Sequence, residues 1–577
     1  MPFENLYKKI RNSIRQLEQK IGQAKYSYFD QPLKQVEYFD GGLYDAIYEA
    51  SCKWSHHVAL EYFKTQVTYK EMVKKINRTA AALKAIGAKK GEYITICMPN
   101  TPEEIYMFYA VNEIGAIANM VHPLSSEKEI EEYLNQTHTR IMLCIDITYP
   151  RVENIIKNTE VEQLIVVSPS RSMDLIVRAV YKLTKGRKNH IKKSQQVITW
   201  DKFLNKANHY IGNPHTRVNS TDPAVVMYSG GTTGKPKGVI LTNLNFNAQA
   251  IGAKYLVPEL IKSKHSFLTF LPNFHAFGLG VCIHLPLYFG CRVVLIPQFN
   301  AKKLKKYLTK YKINILVGVP TVFDYLTKLK FNPRELKNLK GVVSGGDVVR
   351  MSVKVRVNDF LEAHGSKAIL ENGYGLTEAS GGFIFSTRQV ARDPDGIGFP
   401  IPDNEVIIVN PKTGKKVPAG QDGEIVVRGL SVMKGYLNKP LETKKAFIKV
   451  GNKKYLRTGD IGYQDETGLF HFRSRLKRMI ISNGYNIYPA NIEEVTMKCK
   501  QVKTCAVIGR EDKVRGQKVV VFVVAEPDAH ERTIRRELGV IYRQYLAKYE
   551  IPREIRFLPE LPQTKLAKVD FKALELL

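Results

Sequence analysis

The chain has 577 residues, too many for a single hydrophobic core, and its apolar content of 44% is enough to fill two or more domains. Its 87 lysines and arginines against 55 aspartates and glutamates give a formal net charge of +32. This charge indicates anionic partners, but it does not choose among nucleic acid, an anionic membrane surface and polyanionic small molecules. The sequence contains no zinc finger, homeodomain or RNA-binding aromatic motif, so no nucleic-acid partner is expected.

The apolar and cysteine patterns predict a cytoplasmic protein without a transmembrane helix. Residues 1–30 lack the continuous apolar core of a signal peptide. The longest apolar region, 276–291, carries His284 and Pro286 and falls short of the ~18 to 20 residues that a spanning helix needs. The seven cysteines form no Cys-x-x-Cys pair, which agrees with a reducing compartment.

The first two thirds of the chain alternate helix-length segments with short apolar runs. A capping box at Thr68 and Glu71 predicts a helix that ends at Gly87. The apolar runs have the length of buried parallel strands and lie at 93–98, 141–145, 164–168, 293–297, 315–319 and 341–344. This alternation predicts an α/β fold.

The pattern changes towards the C-terminus. From about residue 397 to residue 472, short strands alternate with Gly, Pro, Asn and Asp turns, which predicts a small β subdomain. About 100 residues follow Lys477, enough for a unit that folds alone. The predicted domains are therefore residues 1–474 and 475–577.

Residues 171–193 form a basic segment with eight lysines and arginines against one aspartate. Apolar residues recur within it at helical spacing, at Met173, Ile176, Val177, Val180 and Leu183. Two interpretations stay open. The segment is either an interfacial helix on anionic lipid at the inner face of the membrane, or a solvated helix that packs its apolar stripe on its own domain.

A loop rich in glycine and hydroxyl groups follows the apolar run 225–227. Glycine allows successive backbone N–H groups to converge on an anion, and hydroxyls and lysines add donors and positive charge. A Walker A loop needs Gly-Lys-Ser/Thr, whereas Lys235 is followed here by Pro236. We therefore predict a polyphosphate site of another kind, formed by Ser229, Gly230, Gly231, Thr232, Thr233 and Lys237.

Five further motifs follow in order, at 344–347, 372–378, 455–460, 475–477 and 561–568. With the glycine-rich loop they resemble the acyl-adenylate-forming (AMP-binding) superfamily, over roughly residues 43–574. The stretches Gly398-Phe399-Pro400, Arg428-Gly429 and Met433-Lys434-Gly435-Tyr436 look most like bacterial long-chain fatty acyl-CoA synthetases. The resemblance implies a large N-terminal domain of two α/β subdomains plus a small β subdomain, followed by a small mobile α+β C-terminal domain.

The resemblance also implies roles for single residues in joining a fatty acid to CoA with ATP. Thr377 would donate to the α-phosphate, Glu378 would bind Mg²⁺, and Lys568 would bridge the substrate carboxylate and the phosphate as a positive charge. Tyr374 would stack on adenine, and Asp460 would accept hydrogen bonds from both ribose hydroxyls. The same end of the nucleotide would be contacted by Gly345, Gly346, Asn372 and Arg475.

Further positions concern the acyl group and CoA. His275 is implied to lie beside an acyl pocket whose walls come from 247–255, 274–280, 318–323 and 379–383. Lys477 matches the family's hinge, and Gly484 would line the passage for the pantetheine arm of CoA. Ala567 and Ser474 replace residues common in the family, which puts the rate of adenylation in question but removes no charge that the chemistry needs.

Two other functions stay open beside a fatty acyl-CoA synthetase. One is a fatty acyl-AMP ligase that passes the acyl group to an acyl carrier protein. The other is a non-catalytic lipid or nucleotide sensor, against which Glu378, Asp460, Arg475 and Lys568 argue. Association into a homodimer also stays open.

Overall fold

The computed structural model describes residues 37–577 except 184–190, 192–193, 230–235, 348, 350, 392, 394–395, 483–484, 513–514 and 565–568. Six of the residues predicted for the site lie outside this part of the chain, namely Gly230, Gly231, Thr232, Thr233, Gly484 and Lys568.

The described chain contains strands from residue 58 to residue 557. The strands before residue 300 are β1 Val58–Tyr62, β2 Thr65–Thr68, β3 Tyr93–Cys97, β4 Ile117–Met120, β5 Ile141–Ile145, β6 Gln163–Val167, β7 Val197–Thr199, β8 Pro223–Ser229, β9 Lys237–Thr242, β10 Ser266–Thr269 and β11 Arg292–Leu295. The later strands are β12 Ile315–Gly318, β13 Gly341–Gly345, β14 Leu370–Tyr374, β15 Ile384–Phe385, β16 Gly396–Pro400, β17 Asn404–Val409, β18 Gly423–Gly429, β19 Gly435–Tyr436, β20 Phe447–Val450, β21 Lys453–Gln464, β22 Phe470–Arg475, β23 Ile480–Ser482, β24 Tyr485–Ile487, β25 Val502–Asp512, β26 Gly516–Ala525 and β27 Glu554–Phe557.

These strands form three sheets. A sheet of 14 strands has the order β17-β18-β21-β22-β16-β15-β14-β13-β12-β10-β11-β1-β2, with β20 paired to β21. A sheet of eight strands has the order β19-β9-β8-β4-β3-β5-β6-β7. A sheet of five strands has the order β24-β23-β26-β25, with β27 paired to β26.

Helices connect the strands and cover the sheets. The α-helices are Leu43–Lys53, Tyr69–Ala85, Pro102–Glu113, Glu127–Gln136, Tyr149–Ile155, Leu175–Leu183, Trp200–Lys206, Asn243–Leu256, Leu285–Tyr288, Leu304–Lys310, Pro320–Leu326, Met351–Ala363, Pro440–Lys445, Pro489–Thr496, Glu531–Tyr545 and Phe571–Leu576, and Phe277–His284 is a π-helix. None of the helices in the described ranges is both long and apolar enough to cross a membrane.

The α/β class predicted from the sequence is confirmed. The six predicted apolar runs correspond to β3, β5, β6, β11, β12 and β13, and each of these strands has at least one parallel partner. The predicted capping box is also present, since Thr68 Oγ1 accepts from the backbone N–H of Glu71, and Glu71 Oε2 accepts from the backbone N–H of Thr68.

The short strands predicted between residues 397 and 472 are mostly antiparallel and continue the large sheet through the pairing of β15 with β16. Sequence texture could not reveal this continuity, because it depends on β15, a strand of two residues that is too short to show a period. The five-stranded sheet has its own buried clusters, centred on β25 and β26. The division at residues 474 and 475 stays a prediction.

The main core lies between the two larger sheets. Helix Pro102–Glu113 is buried at all twelve positions, so it is packed on every side. One continuous cluster of buried apolar residues joins this helix to strands of both sheets and to helices Tyr69–Ala85 and Asn243–Leu256. This core includes Val343 of β13, and the residues predicted to bind the nucleotide follow at the carboxyl ends of β13 and β14.

Candidate active site

Strands β8 and β9 form an antiparallel hairpin whose loop is the predicted polyphosphate loop. Ser229, the last residue of β8, is in register with Lys237, the first residue of β9. The two described ends of the loop are therefore neighbours, and residues 230–235 between them are outside the described ranges. The polyphosphate role of this loop stays a prediction.

Tyr436, which sequence reasoning did not select, connects this hairpin to Glu378. Its Oη donates to Glu378 Oε1 at 2.9 Å, and Lys237 Nζ lies 4.8 Å from the centre of its ring. Burial and the Glu378 carboxylate raise the pKa of Tyr436, so its hydroxyl remains a donor. Strand β19 places Tyr436 opposite Val239 of β9. The only sequence signal for Tyr436 was its place in the stretch 433–436.

Glu378 fits the predicted role of a Mg²⁺ ligand. It lies in the 3₁₀ turn Thr377–Ala379, half-buried, and Tyr436 engages only one of its two carboxylate oxygens. In the ranges that the structure describes, no group of three or more His, Cys, Asp or Glu side chains could hold a metal ion. A single carboxylate is sufficient for Mg²⁺ when phosphate and water supply the remaining oxygens.

Tyr374, Asp460 and Arg475 form a second cluster. Tyr374 Oη donates to Asp460 Oδ2 at 2.8 Å, and Arg475 Nε lies 3.7 Å from Asp460 Oδ1. Asp460 and Arg475 are direct cross-strand partners on β21 and β22. A carboxylate has about four acceptor positions, so Asp460 still has room for ribose hydroxyls after it accepts from Tyr374.

Burial governs the titration of this second cluster. It raises the pKa of Asp460, and the nearby Arg475 guanidinium and the Tyr374 hydroxyl oppose that effect. The pKa of Tyr374 is also raised, first by burial and then by the Asp460 carboxylate, so the Tyr374 hydroxyl keeps its proton. The hydrogen bond from Tyr374 also fixes the hydroxyl end of a ring that is predicted to stack on adenine.

Gly345, Gly346 and Asn372 lie beside Tyr374 at the carboxyl ends of β13 and β14. Ser344 pairs in parallel with Asn372, and Gly345 pairs with Gly373. A Cβ at Gly345 would approach the oxygen of Gly373 to 2.9 Å, and Gly346 has a φ of +78°, so both positions favour glycine. Asn372 Nδ2 donates to the carbonyl oxygen of residue 396 at 2.9 Å, which fixes its side chain next to the expected base.

The segments predicted to form the walls of the acyl pocket meet close to the residues predicted to bind the nucleotide. His275 is half-buried next to Phe274 and lies just before the π-helix Phe277–His284, a form of helix frequent at functional sites. A Cβ at Gly280 would come within 3.0 to 3.1 Å of Phe246, Ser380 and Gln249, so the walls from 247–255, 274–280 and 379–383 are in contact. Phe277 also lies against Gly345, which joins the acyl side to the adenosine side.

The predicted hinge residue Lys477 lies in the 3₁₀ turn Leu476–Arg478. Its neighbour Arg478 donates from Nη2 to Glu493 Oε1 at 2.7 Å, and the guanidinium carbon lies 3.5 Å from the centre of the Phe571 ring. Phe571 opens the last helix, three residues after Lys568. An antiparallel bridge between Gln563 and Val569 spans the segment that carries Lys568. The ends of that segment are thus fixed by described residues.

Chain segment 372–378 links the two described clusters. Its first half carries Tyr374, which binds Asp460, and its last residue is Glu378, which binds Tyr436. The structure therefore brings Lys237 of the eight-stranded sheet together with Glu378, Tyr374, Asp460 and Arg475, which lie on or next to strands of the large sheet. In this arrangement Asp460 can accept hydrogen bonds from a ribose, the ring of Tyr374 can stack on a base, and the Glu378 carboxylate can bind a cation.

Comparison with known proteins agrees with this arrangement. Residues 48–437 match the family described as AMP-binding enzyme, and residues 491–568 match the AMP-binding enzyme C-terminal domain. The chain is 30% identical over 528 residues to a long-chain-fatty-acid–CoA ligase of Bacillus subtilis, with 90% of this chain and 92% of the relative covered. It is 31% identical over 515 residues to a ligase of the same name from Yersinia pestis, with 87% and 88% covered.

The fold is also similar to solved structures. One is ATP-bound MatB from Rhodopseudomonas palustris, with a TM-score of 0.80, 21% identity, and 93% of this chain and 99% of that chain covered. At this identity the likeness supports the fold alone, whereas the family matches and the curated relatives extend over most of the sequence. The chain therefore belongs to the family of AMP-binding enzymes, as an AMP-forming acid–CoA ligase that uses ATP and CoA.

Proposed function

We propose that the acid activated by this ligase is a medium- or long-chain fatty acid and that Mg²⁺ assists the reaction. The proposed site rests on one observation about segment 372–378. Within this short stretch, Tyr374 contacts Asp460, the candidate acceptor for ribose, and Glu378, the candidate cation ligand, contacts Tyr436. Two curated relatives named long-chain-fatty-acid–CoA ligases support the choice of substrate.

The first step joins the carboxylate to AMP. A carboxylate oxygen attacks the α-phosphorus, a new O–P bond forms, and the bond to the bridging oxygen breaks as pyrophosphate leaves. Two anions must meet, so fixed positive charge and fixed geometry lower the barrier. Lys568 bridges the two reacting groups, Thr377 donates to the α-phosphate, and the loop ending at Lys237 holds the leaving phosphates. Glu378 would hold Mg²⁺, and the bound ion would supply charge neutralisation for the pyrophosphate.

The second step transfers the acyl group to CoA. The sulfur attacks the acyl carbonyl carbon, the bond from that carbon to the phosphate oxygen breaks, AMP leaves, and the thiol proton is lost. We propose that the unit 475–577 rotates at Lys477 between the steps, withdrawing Lys568 and bringing Gly484 to the pantetheine passage. Its separate buried clusters are consistent with movement as one body.

The acyl side is apolar apart from a few polar groups. Phe274 and Phe277 lie within the predicted wall 274–280, and Phe246 directly precedes the predicted wall 247–255. A Cβ at Gly278 would come within 2.1 Å of the carbonyl oxygen of Pro272, so this position excludes a larger side chain. A hydrocarbon chain gains affinity from such walls in proportion to the apolar area it buries. This chemistry favours a fatty acid over a short polar acid.

Pyrophosphate release with ATP, Mg²⁺ and saturated acids of increasing length, each with and without CoA, tests the proposal. We expect release to be greatest with medium or long chains and CoA to be consumed in equal amount. Pyrophosphate release without consumption of CoA would support transfer of the acyl group to a carrier protein. Absence of release with every acid would support a sensor and contradict the proposed activity.

A further inference from the structure

Helix Leu175–Leu183 turns its apolar side towards solvent. Leu175 is 82% exposed, Ile176 77%, Val180 56% and Leu183 64%. With Ala179, which is also exposed, these residues recur at positions one, two, five, six and nine of the helix and so lie on one face. This outcome answers only part of the question left open by the sequence. Ile176, Val180 and Leu183 of the apolar stripe are exposed, whereas Met173 packs against the main core and Val177 is half-buried.

The opposite side of the helix holds it to the protein. Tyr181 Oη contacts Asp146 Oδ1 at 3.5 Å, and Val177 is half-buried. Asp174 Oδ1 accepts from the backbone N–H groups of Ile176 and Val177, both at 3.1 Å, and thereby caps the first turn. The helix is therefore held to the protein by the contact of Tyr181 with Asp146 and by half-buried Val177, with its exposed apolar side chains outward.

Two neighbouring loops extend the exposed apolar surface. Leu124 is 63% exposed and Ile147 is 52% exposed. Their loops touch, since Thr148 Oγ1 donates to the carbonyl oxygen of Pro123 at 2.9 Å. The contact of Tyr181 with Asp146 brings the helix against the same loops. We call this surface the apolar face, defined by Leu124, Ile147, Leu175, Ile176, Val180 and Leu183.

Basic residues border the apolar face. Exposed Arg151 lies near the two loops and donates from Nη1 to the carbonyl oxygen of Ser125 at 3.5 Å. Half-buried Arg178 lies within the helix, and Arg171, which precedes it, forms an ion pair with Asp201 at 2.7 Å. From residue 171 to residue 193 the sequence carries eight lysines and arginines against one aspartate. An exposed apolar helix face within a cationic stretch of sequence has the composition of a site for an anionic lipid surface.

We propose that the apolar face docks the protein on anionic membranes, with the six apolar side chains in the headgroup region and the arginines against lipid phosphates. Charge decides between this partner and a second copy of the chain, because pairing two copies through this face would bring two cationic segments together. The proposal does not depend on the catalytic function. A lipid surface is also where long-chain fatty acids partition, so docking would place the enzyme beside the proposed substrate.

Sedimentation of the full chain with vesicles tests the proposal. The vesicles are phosphatidylcholine alone or phosphatidylcholine mixed with phosphatidylglycerol. We expect the wild type to bind the mixed vesicles, to bind phosphatidylcholine much less, and to lose affinity as salt is raised. The triple variant Leu175→Ser, Ile176→Ser, Leu183→Ser should lose roughly tenfold or more in affinity for the mixed vesicles.

A matched control replaces Ile211, Leu441 and Val540 with serine, since these side chains are 98%, 70% and 56% exposed elsewhere on the protein. We expect the control to bind like the wild type, and both triple variants to keep the thermal melting and the activity on dispersed substrate. Equal binding by the wild type and the Leu175 triple variant would overturn the proposal. So would a wild-type dimer in analytical ultracentrifugation that the same variant dissociates.

Discussion

Three neighbouring effects set the charge of Asp460 and the number of hydrogen bonds that its carboxylate can still accept. Burial disfavours its charge, the Arg475 guanidinium favours it, and the Tyr374 hydroxyl occupies one oxygen. The remaining acceptor positions face the nucleotide side of the cluster in the proposed mechanism. A carboxylate accepts hydrogen bonds more strongly than an amide, so both charge and geometry matter at this position.

We expect Asp460→Ala to raise the KM for ATP. Each lost charge-assisted hydrogen bond costs about 1.5 to 3 kcal/mol, which corresponds to roughly tenfold to a hundredfold in affinity. The same variant should lose the preference for ATP over 2′-deoxy-ATP, because the acceptor for the 2′-hydroxyl is gone. Steady-state kinetics with both nucleotides measure this. An unchanged preference in the variant would refute the ribose contact.

Tyr436 supports a second prediction at the residue scale. Tyr436→Phe removes the hydrogen bond to Glu378 but keeps the ring beside Lys237. We expect the Mg²⁺ concentration for half-maximal pyrophosphate release to rise severalfold, because the carboxylate loses the donor that orients it. Tyr48→Phe, at a tyrosine that is 49% exposed, serves as the control. An identical Mg²⁺ dependence in the wild type and Tyr436→Phe would exclude an orienting role.

At the scale of elements, local signals were sufficient for many helices and strands. The capping box at Thr68 and the apolar runs of β3, β5 and β13 each lie within a few consecutive residues, so the sequence predicted them. Strand β19 has two residues, too few for any periodicity, and its pairing with β9 joins residues almost 200 positions apart. The role of Tyr436 was therefore hidden, although Glu378 and Lys237 were both selected.

The last helix, Phe571–Leu576, provides a prediction about positioning. Arg478→Ala removes the stacking on Phe571 and the ion pair with Glu493 next to the proposed hinge. Since Phe571 follows the segment that carries Lys568, we expect adenylation to fall by roughly tenfold. Thioester formation from supplied acyl-adenylate should fall much less, because it does not use Lys568. The two half-reactions are measured separately.

Arg510→Ala is the matched control for this prediction. Arg510 Nη2 donates to the carbonyl oxygen of Leu574 in the same helix, and its guanidinium lies over Phe522. This variant should lower thermal stability without changing the ratio of the two half-reactions. If Arg478→Ala slows both half-reactions by the same factor, Arg478 contributes to stability only and does not position the segment that carries Lys568.

For the whole molecule, the three sheets suggest which parts move together. The sheets of 14 and eight strands share one buried cluster, whereas the sheet of five strands has clusters of its own. Separate cores allow a smaller unit to rotate without exposing apolar surface in the larger one. This is the physical basis for the proposed alternation between the two half-reactions.

We expect Gly484→Trp and Lys568→Ala to slow different half-reactions: the first variant slows thioester formation, and the second slows adenylation. A tryptophan in the proposed pantetheine passage should block thioester formation and leave pyrophosphate release near the wild-type level. Lys568→Ala should abolish most pyrophosphate release and still convert supplied acyl-adenylate. Single-turnover assays of each step measure both variants. Normal thioester formation by Gly484→Trp would contradict the proposed passage.

The solvent-facing side chains of helix Leu175–Leu183 also affect how the purified enzyme behaves in a test tube. Exposed apolar patches adsorb to plastic and to chromatography resin as well as to biological partners. On strong dilution, a growing share of the enzyme should leave solution for the vessel wall, and turnover per mole added should fall. A carrier protein, or a non-ionic surfactant below its micelle concentration, should restore proportionality between rate and enzyme added.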